Sequence, residues 1–124
     1  MKRAILCAML FVIAACEPRP GRHEAEAAQL TGGNPERGKT AIRRYGCGAC
    51  HTIPGVAGAN ASVGPSLDKL ASRSYLAGRL INSPDNLIRW IRFPREVDHQ
   101  TAMPDMAVTD RDARDIAAYL YTLR

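Results

Sequence analysis

The sequence predicts an all-α domain with long loops between its helices. Three segments begin with helix-capping signals: Asn34-Pro35, Ser83-Pro84 and Thr109-x-x-Asp112. Asn, Ser and Thr side chains cap the first turn of a helix, and proline fits its first position. No segment of useful length alternates apolar and polar residues, which is the pattern of a half-buried strand. A domain of three to five helices is therefore expected.

These starts give three helices in chain order. The first is expected over 36–45 and the second over 85–93, and they are ended by Gly46 and Pro94. The third follows the capping-box pattern at Thr109 and is expected to run to the C-terminus. Each carries apolar residues at helical spacing, so each has one face available for packing.

Length and charge narrow the possible functions. The chain has 124 residues and a formal net charge of +5, with only 6% aromatic residues. This length suits one domain with a marginal core, so a large buried cofactor would supply missing apolar contacts. A basic protein can bind nucleic acid, an anionic membrane or an acidic protein. Because no nucleic-acid-binding motif is present, an acidic protein partner is expected and nucleic acid is not.

The first fifteen residues have the pattern of a secretory signal peptide. Lys2 and Arg3 precede an unbroken apolar run over 4–15, shorter than the roughly 20 residues that a membrane-spanning helix needs. The run ends at Cys16 in a sequence that resembles a bacterial lipobox, so residues 1–15 are expected to be cleaved and Cys16 lipidated. An ordinary cleaved signal peptide and a retained anchor are the alternatives.

Residues 16–33 are polar and rich in Ala and Glu, and they are expected to form a flexible tether after the lipidated cysteine, in which 23–28 could form a helical turn or two. Acyl chains contribute about 0.8 kcal/mol for each buried CH₂ group, so several chains would hold the protein to a membrane. The expected location is the periplasmic side of a bacterial membrane, with the folded domain over 34–124.

The segment Cys47-Gly48-Ala49-Cys50-His51 has the spacing of a c-type haem attachment site. Two thiols must each reach one vinyl group on the same edge of the porphyrin, and the following histidine must turn its imidazole to the iron. A thioredoxin-like redox pair would need a βαβ pattern nearby, and a zinc site would need a second pair of ligands. Neither is found, so one covalent haem is expected.

The order of these features resembles the class I, or mitochondrial-type, c-type cytochromes over residues 33–124. The resemblance implies that the terminal helices cross and pack around one covalent haem, with Gly38 at their closest approach. Gly64-Pro65-Ser66-Leu67 resembles the Gly-Pro-x-Leu segment of that family. There the proline carbonyl accepts a hydrogen bond from the haem-ligating histidine, here His51; a plain turn is the alternative.

The resemblance also implies further haem contacts. Arg73 falls where the family places an arginine on a haem propionate, with Tyr75 and Asn82 as further partners, although each could simply be a surface residue. Trp90 lies in the helix that faces the haem in the family, where core packing is its main expected role. These residues are expected to bind or enclose the cofactor.

A class I cytochrome has a methionine as the second axial ligand, between the tryptophan helix and the last helix. Met103 and Met106 are both available, and Met103 is favoured because a Met-Pro pair at this place resembles bacterial members of the family. Met106 would then pack in the loop. His99 is the rival that would give a bis-histidine site.

Two filled axial positions leave no site for a substrate, so a single-haem electron carrier is expected rather than an enzyme. The resemblance suggests a cytochrome bc complex as electron donor and a haem–copper terminal oxidase as acceptor. The alternative is a haem-based gas sensor with a labile sixth ligand. Basic side chains could steer an acidic partner, or they could be solvated helix faces: Arg37, Lys39, Arg43, Arg44 and Arg92.

Overall fold

The structure is a computed structural model and describes residues 21–124; the predicted signal peptide and Cys16 lie outside this range. Five α-helices in this range confirm the predicted fold class: α1 Arg22–Thr31, α2 Pro35–Arg44, α3 Pro84–Arg92, α4 Pro94–Val97 and α5 Asp110–Leu120. Short 3₁₀ turns cover Cys47–Ala49 and Leu70–Ser72, and a small antiparallel hairpin pairs β1, Tyr75–Leu76, with β2, Leu80–Ile81. No helix within residues 21–124 is long and apolar enough to cross a membrane.

The predicted caps hold the starts of α2, α3 and α5. The side chains of Asn34, Ser83 and Thr109 each accept a hydrogen bond from a backbone N–H in the first turn, at 2.9, 3.3 and 3.2 Å. The last helix ends at Leu120 rather than at the C-terminus. The chain then turns so that the carbonyl of Leu123 accepts a hydrogen bond from the backbone of the 3₁₀ turn at 70–72.

Helices α2 and α5 cross at a point where no side chain fits. A Cβ atom added to Gly38 would overlap the backbone carbonyl of Asp115 in α5. Asp115 is only 2% exposed, and its carboxylate accepts hydrogen bonds from Arg37 Nε and Nη2 at 2.7 and 2.8 Å and from Asn34 N at 2.7 Å. A buried carboxylate needs such partners because an unpaired buried charge is costly. This ion pair therefore joins the start of α2 to α5.

The expectation of a flexible tether through residue 33 is corrected by α1. This helix packs mainly against α5, with Ala27 and Thr31 buried on its inner face. Glu26 forms an ion pair with Arg124 at 2.7 Å. The small side chains of the Ala-rich segment let the helix lie close to α5, so burial outweighs the entropy of a free chain. Residues 22–31 are thus part of the folded domain.

A polar cluster ties the end of α2 to the start of α5. The Asp112 carboxylate accepts a hydrogen bond from the Tyr45 hydroxyl at 2.8 Å and pairs with Arg44 at 2.7 Å. The hydrogen bond from Tyr45, helped by Thr109 and Arg44, holds the pKa of Asp112 below its usual range. The cluster is therefore strongest when Asp112 is ionised.

Replacing Tyr45 with phenylalanine is expected to lower the free energy of unfolding by about 1–2 kcal/mol at neutral pH. Because the pKa of Asp112 is lowered in the folded state, this contribution is complete above the ordinary aspartate pKa of about 4. It is lost as the pH falls through the lower folded value. Denaturant unfolding of Tyr45→Phe and the unchanged protein, at neutral pH and in acid, measures the difference; an equal loss at both would contradict the explanation.

Candidate haem-binding site

A cavity of about 510 Å³ opens between the helices and the long loops. Its inner wall is formed by apolar side chains of α2, α3 and α5: Ile42, Leu87, Ile91, Ile116 and Leu120. Nearly all of the predicted site residues also line it: Cys47, Cys50, His51, Pro65, Arg73, Trp90 and Met103. Residues that are far apart in the sequence are thus brought to one enclosed space.

The attachment motif forms a compact turn beside α2. The backbone N–H groups of Cys50 and His51 both donate to the carbonyl of Cys47, at 3.2 and 3.0 Å. The two thiols are not joined in a disulfide, and both face the cavity. Burial raises the pKa of the Cys47 thiol, which keeps it protonated at neutral pH, unlike the activated thiolate of a redox pair.

The two residues between the cysteines have different roles. Ala49 lines the cavity, whereas Gly48 packs against Ala59: an added Cβ would lie 2.8 Å from the Ala59 Cβ. Nothing in the sequence indicates this contact, because Ala59 belongs to no motif. Gly48 therefore lets the loop that follows the motif fold back onto the turn.

The His51 ring is held by the segment around Pro65. Its Nδ1 atom lies 2.7 Å from the carbonyl oxygen of Pro65, so Nδ1 carries the hydrogen and donates it. Nε2 then keeps its lone pair for a metal ion, which is the arrangement found at most histidine metal sites. The backbone N–H of Gly64 donates to the carbonyl of Cys50 at 2.7 Å, which closes the loop on the motif.

Of the three candidates for the second axial position, two line the cavity. Met103 is half-buried and Met106 is 38% exposed, whereas His99 is exposed and does not line the cavity. The backbone N–H of Met103 donates to the Thr101 hydroxyl at 3.1 Å. Asp98 holds the preceding turn by accepting hydrogen bonds from the backbone of residues 100 and 101. The more enclosed position of Met103 favours it as the ligand.

The three expected propionate partners lie in different places. Arg73 lines the cavity, and its Nη2 donates to the carbonyls of Ser66 and Asp68. Tyr75 is 61% exposed and does not line the cavity. Successive side chains of a strand point to opposite faces, and in β1 it is Leu76 that points inward. The structure therefore brings Arg73, but not Tyr75, to the site.

The amide of Asn82 is used by the protein itself. Its Nδ2 donates to the carbonyls of Leu70 and Arg73, both at 2.8 Å, and its Oδ1 accepts a hydrogen bond from the Tyr121 hydroxyl at 2.7 Å. Both amide hydrogens are thus occupied, and the expected contact with a propionate has no donor left. Asn82 instead holds the 70–73 turn against the end of α5.

Trp90 is half-buried and lines the cavity from α3. Leu87 and Ile91 of the same helix flank it and are 2% and 7% exposed. The three side chains form an apolar wall, which agrees with the expected packing role of Trp90.

The similarity of the chain to known proteins identifies its family. The sequence profile of the family described as cytochrome c matches residues 35–124. The chain belongs to the cytochrome c family. As a c-type cytochrome, it is an electron-transfer protein whose family binds haem c covalently. Helix α1 precedes the matched region, so it is an addition to the part that the family shares.

One curated protein that is similar to this cytochrome is a subunit of an oxidase. The chain is 31% identical over 103 residues to the cytochrome c oxidase subunit 2 of Alkalihalophilus pseudofirmus. The alignment covers 81% of this chain but 29% of the relative, so the chain spans less than a third of that protein's length. No solved structure is significantly similar to the chain.

The residues of this cytochrome fit a covalent haem. The cavity is large and mostly apolar, two unpaired thiols lie on one turn at its wall, and His51 keeps Nε2 free. Met103 and Met106 add thioether sulfurs, and Arg73 adds a positive charge for a carboxylate. A haem c needs apolar side chains around the porphyrin, two thiols for its attachment, and a nitrogen and a sulfur atom as ligands of the iron.

Gly64 is a site residue whose role the sequence alone does not indicate. A Cβ atom added there would lie 2.6 Å from Cε1 and 2.8 Å from Nδ1 of His51, so the glycine backbone lies against the imidazole ring. The Gly-Pro-x-Leu resemblance includes Gly64, but only the folded chain shows which side chain needs the space.

Replacing Gly64 with alanine is expected to displace the His51 ring and to destabilise the holoprotein by about 1–3 kcal/mol. The yield of covalent haem per polypeptide should fall with it, because the ring no longer presents Nε2 to the cavity. Val63→Ala, at the neighbouring and 81% exposed position, is the matched control. Thermal denaturation and the absorbance of the denatured, solvent-extracted protein measure both effects; unchanged values for Gly64→Ala would contradict the assigned contact.

Proposed function

We propose that this cytochrome is a single-haem, class I-type electron carrier that passes one electron at a time toward a cytochrome c oxidase. The proposal rests on one observation. The thiols of Cys47 and Cys50, the imidazole of His51 with its free Nε2, and the enclosed Met103 all line the same cavity. The haem supplies the reversible one-electron couple of its iron.

The chain's own residues attach and orient the cofactor. When haem is bound, the thiols of Cys47 and Cys50 would each hold one of its vinyl groups, with sulfur on one carbon and the thiol hydrogen on the other, so that atoms and electrons balance. His51, kept in one tautomer by the carbonyl of Pro65, would ligate through Nε2, and Met103 through its sulfur. If His51 and Met103 both ligate the iron, no coordination site would be left for a substrate or a gas.

The apolar lining supports a role on the oxidising side of a respiratory chain. Apolar walls exclude water, and a dry pocket disfavours the more highly charged ferric state. Methionine ligation raises the reduction potential further. A carrier with these features suits a strong oxidant as its acceptor.

The acceptor class is supported by the relative, an oxidase subunit in which the similar region is one part of a longer chain. We therefore propose a cytochrome bc complex as the electron donor and a haem–copper oxidase as the acceptor, as the class I resemblance suggests.

Lipidation of Cys16 after cleavage of residues 1–15 would place the protein on the periplasmic side of the membrane. Because α1 is packed onto α5, only the five residues 17–21 separate Cys16 from the folded domain. Six residue steps of 3.3–3.6 Å span at most about 22 Å. The folded part, α1 included, is therefore held near the membrane surface, where the proposed partners lie.

The proposal is tested on the protein made where haem is ligated. We expect one haem to remain on each polypeptide after denaturation and solvent extraction, and Cys47→Ser/Cys50→Ser to lose it. The reduced protein should be oxidised by a purified haem–copper oxidase, followed by its absorbance. A colourless extracted protein would refute covalent attachment, and ready binding of carbon monoxide by the unaltered reduced protein would favour a gas sensor.

A further inference from the structure

Two large, mainly apolar side chains stand side by side on the outer face of the small hairpin. Tyr75 and Ile81 are directly opposite each other in the register of β1 and β2, and they are 61% and 68% exposed. Residues directly opposite in an antiparallel pair share one face of the sheet. Neither side chain lines the haem cavity, so the cofactor does not account for their exposure. We call these two residues the hairpin pair.

The hairpin is attached to the C-terminal end of α5. Ser74 and Asn82, which flank the hairpin pair in the sequence, are joined by a backbone hydrogen bond of 2.9 Å. The Asn82 side chain accepts a hydrogen bond at 2.7 Å from the hydroxyl of Tyr121, the residue that follows α5. The carbonyl of Leu123 accepts another from the backbone of the 70–73 turn. These contacts place the hairpin pair at the end of the domain where α5 ends.

Helix α1 begins at the same end of the domain. Near the end of α1, the carbonyl of Thr31 accepts a hydrogen bond from Arg114 at 3.4 Å. Nearer its start, Glu26 pairs with Arg124 at 2.7 Å, so α1 runs antiparallel to α5. Its first residue, Arg22, therefore lies at the end of the domain that carries the hairpin pair.

The segment around the hairpin is positively charged. Residues 69–84 contain Lys69, Arg73 and Arg79 and no carboxylate. Arg79 pairs with Asp98 at 3.3 Å, but its side chain is still 56% exposed. Anionic phospholipid headgroups attract basic side chains, and tyrosine is enriched at membrane–water interfaces because its ring is apolar and its hydroxyl is polar. The chemistry of this surface therefore suits the headgroup region of a bilayer.

We propose that the hairpin pair inserts into the headgroup region of a phospholipid bilayer and so fixes the orientation of the cytochrome on the membrane. The inference rests on the proposed lipidation of Cys16, which lies six residue steps before the start of α1. Two side chains alone bind a membrane weakly, but a linked anchor makes their contact intramolecular, at a high effective concentration. The anchor and the hairpin pair can act together because both are at one end of the domain.

Protection of an introduced thiol tests this contact. In the mature holoprotein, Cys47 and Cys50 are expected to hold the haem and Cys16 the lipid, so Ile81→Cys supplies a free thiol beside Tyr75. We expect a charged, water-soluble maleimide to modify it about tenfold more slowly on vesicles of phosphatidylethanolamine and phosphatidylglycerol than in detergent, because the reagent is excluded from the bilayer.

Leu30→Cys is the matched control. Leu30 is also an exposed aliphatic residue, at 56%, but it lies near the opposite end of α1 from Arg22. Its rate of modification should change less than about twofold between vesicles and detergent, because a thiol outside the bilayer is equally open to the reagent in both. The unaltered protein should take up no maleimide.

The outcomes separate the membrane contact from the anchor. If the unaltered protein takes up no maleimide and Ile81→Cys reacts equally fast on vesicles and in detergent, the hairpin contact is wrong and the lipidation of Cys16 stands. Protection of Leu30→Cys in place of Ile81→Cys would assign the contact to the far end of α1 and overturn the hairpin.

If the unaltered protein does take up maleimide at Cys16, the lipidation is wrong, and the same vesicles test the hairpin without an anchor. Tyr75→Ser/Ile81→Ser should then lower the partition coefficient of the holoprotein onto vesicles about tenfold, and Leu30→Ser should lower it less than about twofold. Equal binding by the hairpin variant, or no binding by the unaltered protein, would overturn the membrane contact as well.

Discussion

Replacing Met103 with alanine is expected to abolish the weak far-red absorption band of the ferric protein, which marks methionine bound to haem iron. The reduction potential should fall by a sizeable part of the roughly 0.8 V range that axial ligands span. The open position should also let the reduced protein bind carbon monoxide readily. These effects follow because Met103 is the more enclosed of the two methionines that line the cavity.

Met106→Ala is the matched control for this experiment. Met106 lines the same cavity but is 38% exposed, so we expect its removal to leave the band and the carbon monoxide behaviour unchanged. Optical spectra and a redox titration of both variants measure the difference. Loss of the band in Met106→Ala, and its persistence in Met103→Ala, would exchange the two assignments.

Replacing Gly38 with alanine is expected to lower the free energy of unfolding by about 3 kcal/mol or more. The added methyl group would overlap the backbone carbonyl of Asp115, and a helix backbone yields less easily than a flexible side chain. Helices α2 and α5 would have to separate, which also pulls Arg37 from the buried Asp115 carboxylate. Thermal and denaturant unfolding of the holoprotein measure the loss.

Gly21→Ala is the control for Gly38→Ala. Gly21 caps α1 with φ near −60°, and an added Cβ would have only the Glu24 carboxylate at 3.9 Å as a neighbour. The cost should be below about 1 kcal/mol. Similar losses in both variants would mean that the crossing of α2 and α5 tolerates a methyl group.

Local signals in the sequence were sufficient for the starts of the main helices. The caps at Asn34, Ser83 and Thr109 act on backbone groups within three residues, so their effect is visible without knowledge of the fold. The cysteine–histidine motif is equally local, because its spacing follows from the chemistry of one porphyrin edge. The fold class, and the gathering of most candidate residues at one cavity, could therefore be predicted.

The features that could not be predicted from the sequence depend on tertiary packing. A polar, Ala-rich segment carries no sign that α1 will dock, since its docking depends on the surface that α5 offers. Whether Tyr75 or Leu76 faces the cofactor depends on how the short hairpin is oriented, and the pattern of two residues does not specify this. Asn82 likewise donates hydrogen bonds to the carbonyls of Leu70 and Arg73, which come near its side chain only once the 70–73 turn has folded.

The hydrogen bond from His51 to Pro65 has a consequence for the speed of electron transfer. Together with the backbone of Gly64, it fixes the imidazole from the protein side, independently of the charge on the metal. A ligand that is already oriented has little nuclear rearrangement to make when the oxidation state changes. The reorganisation energy on this side of the porphyrin should therefore be small, so the driving force between donor and acceptor need not be large.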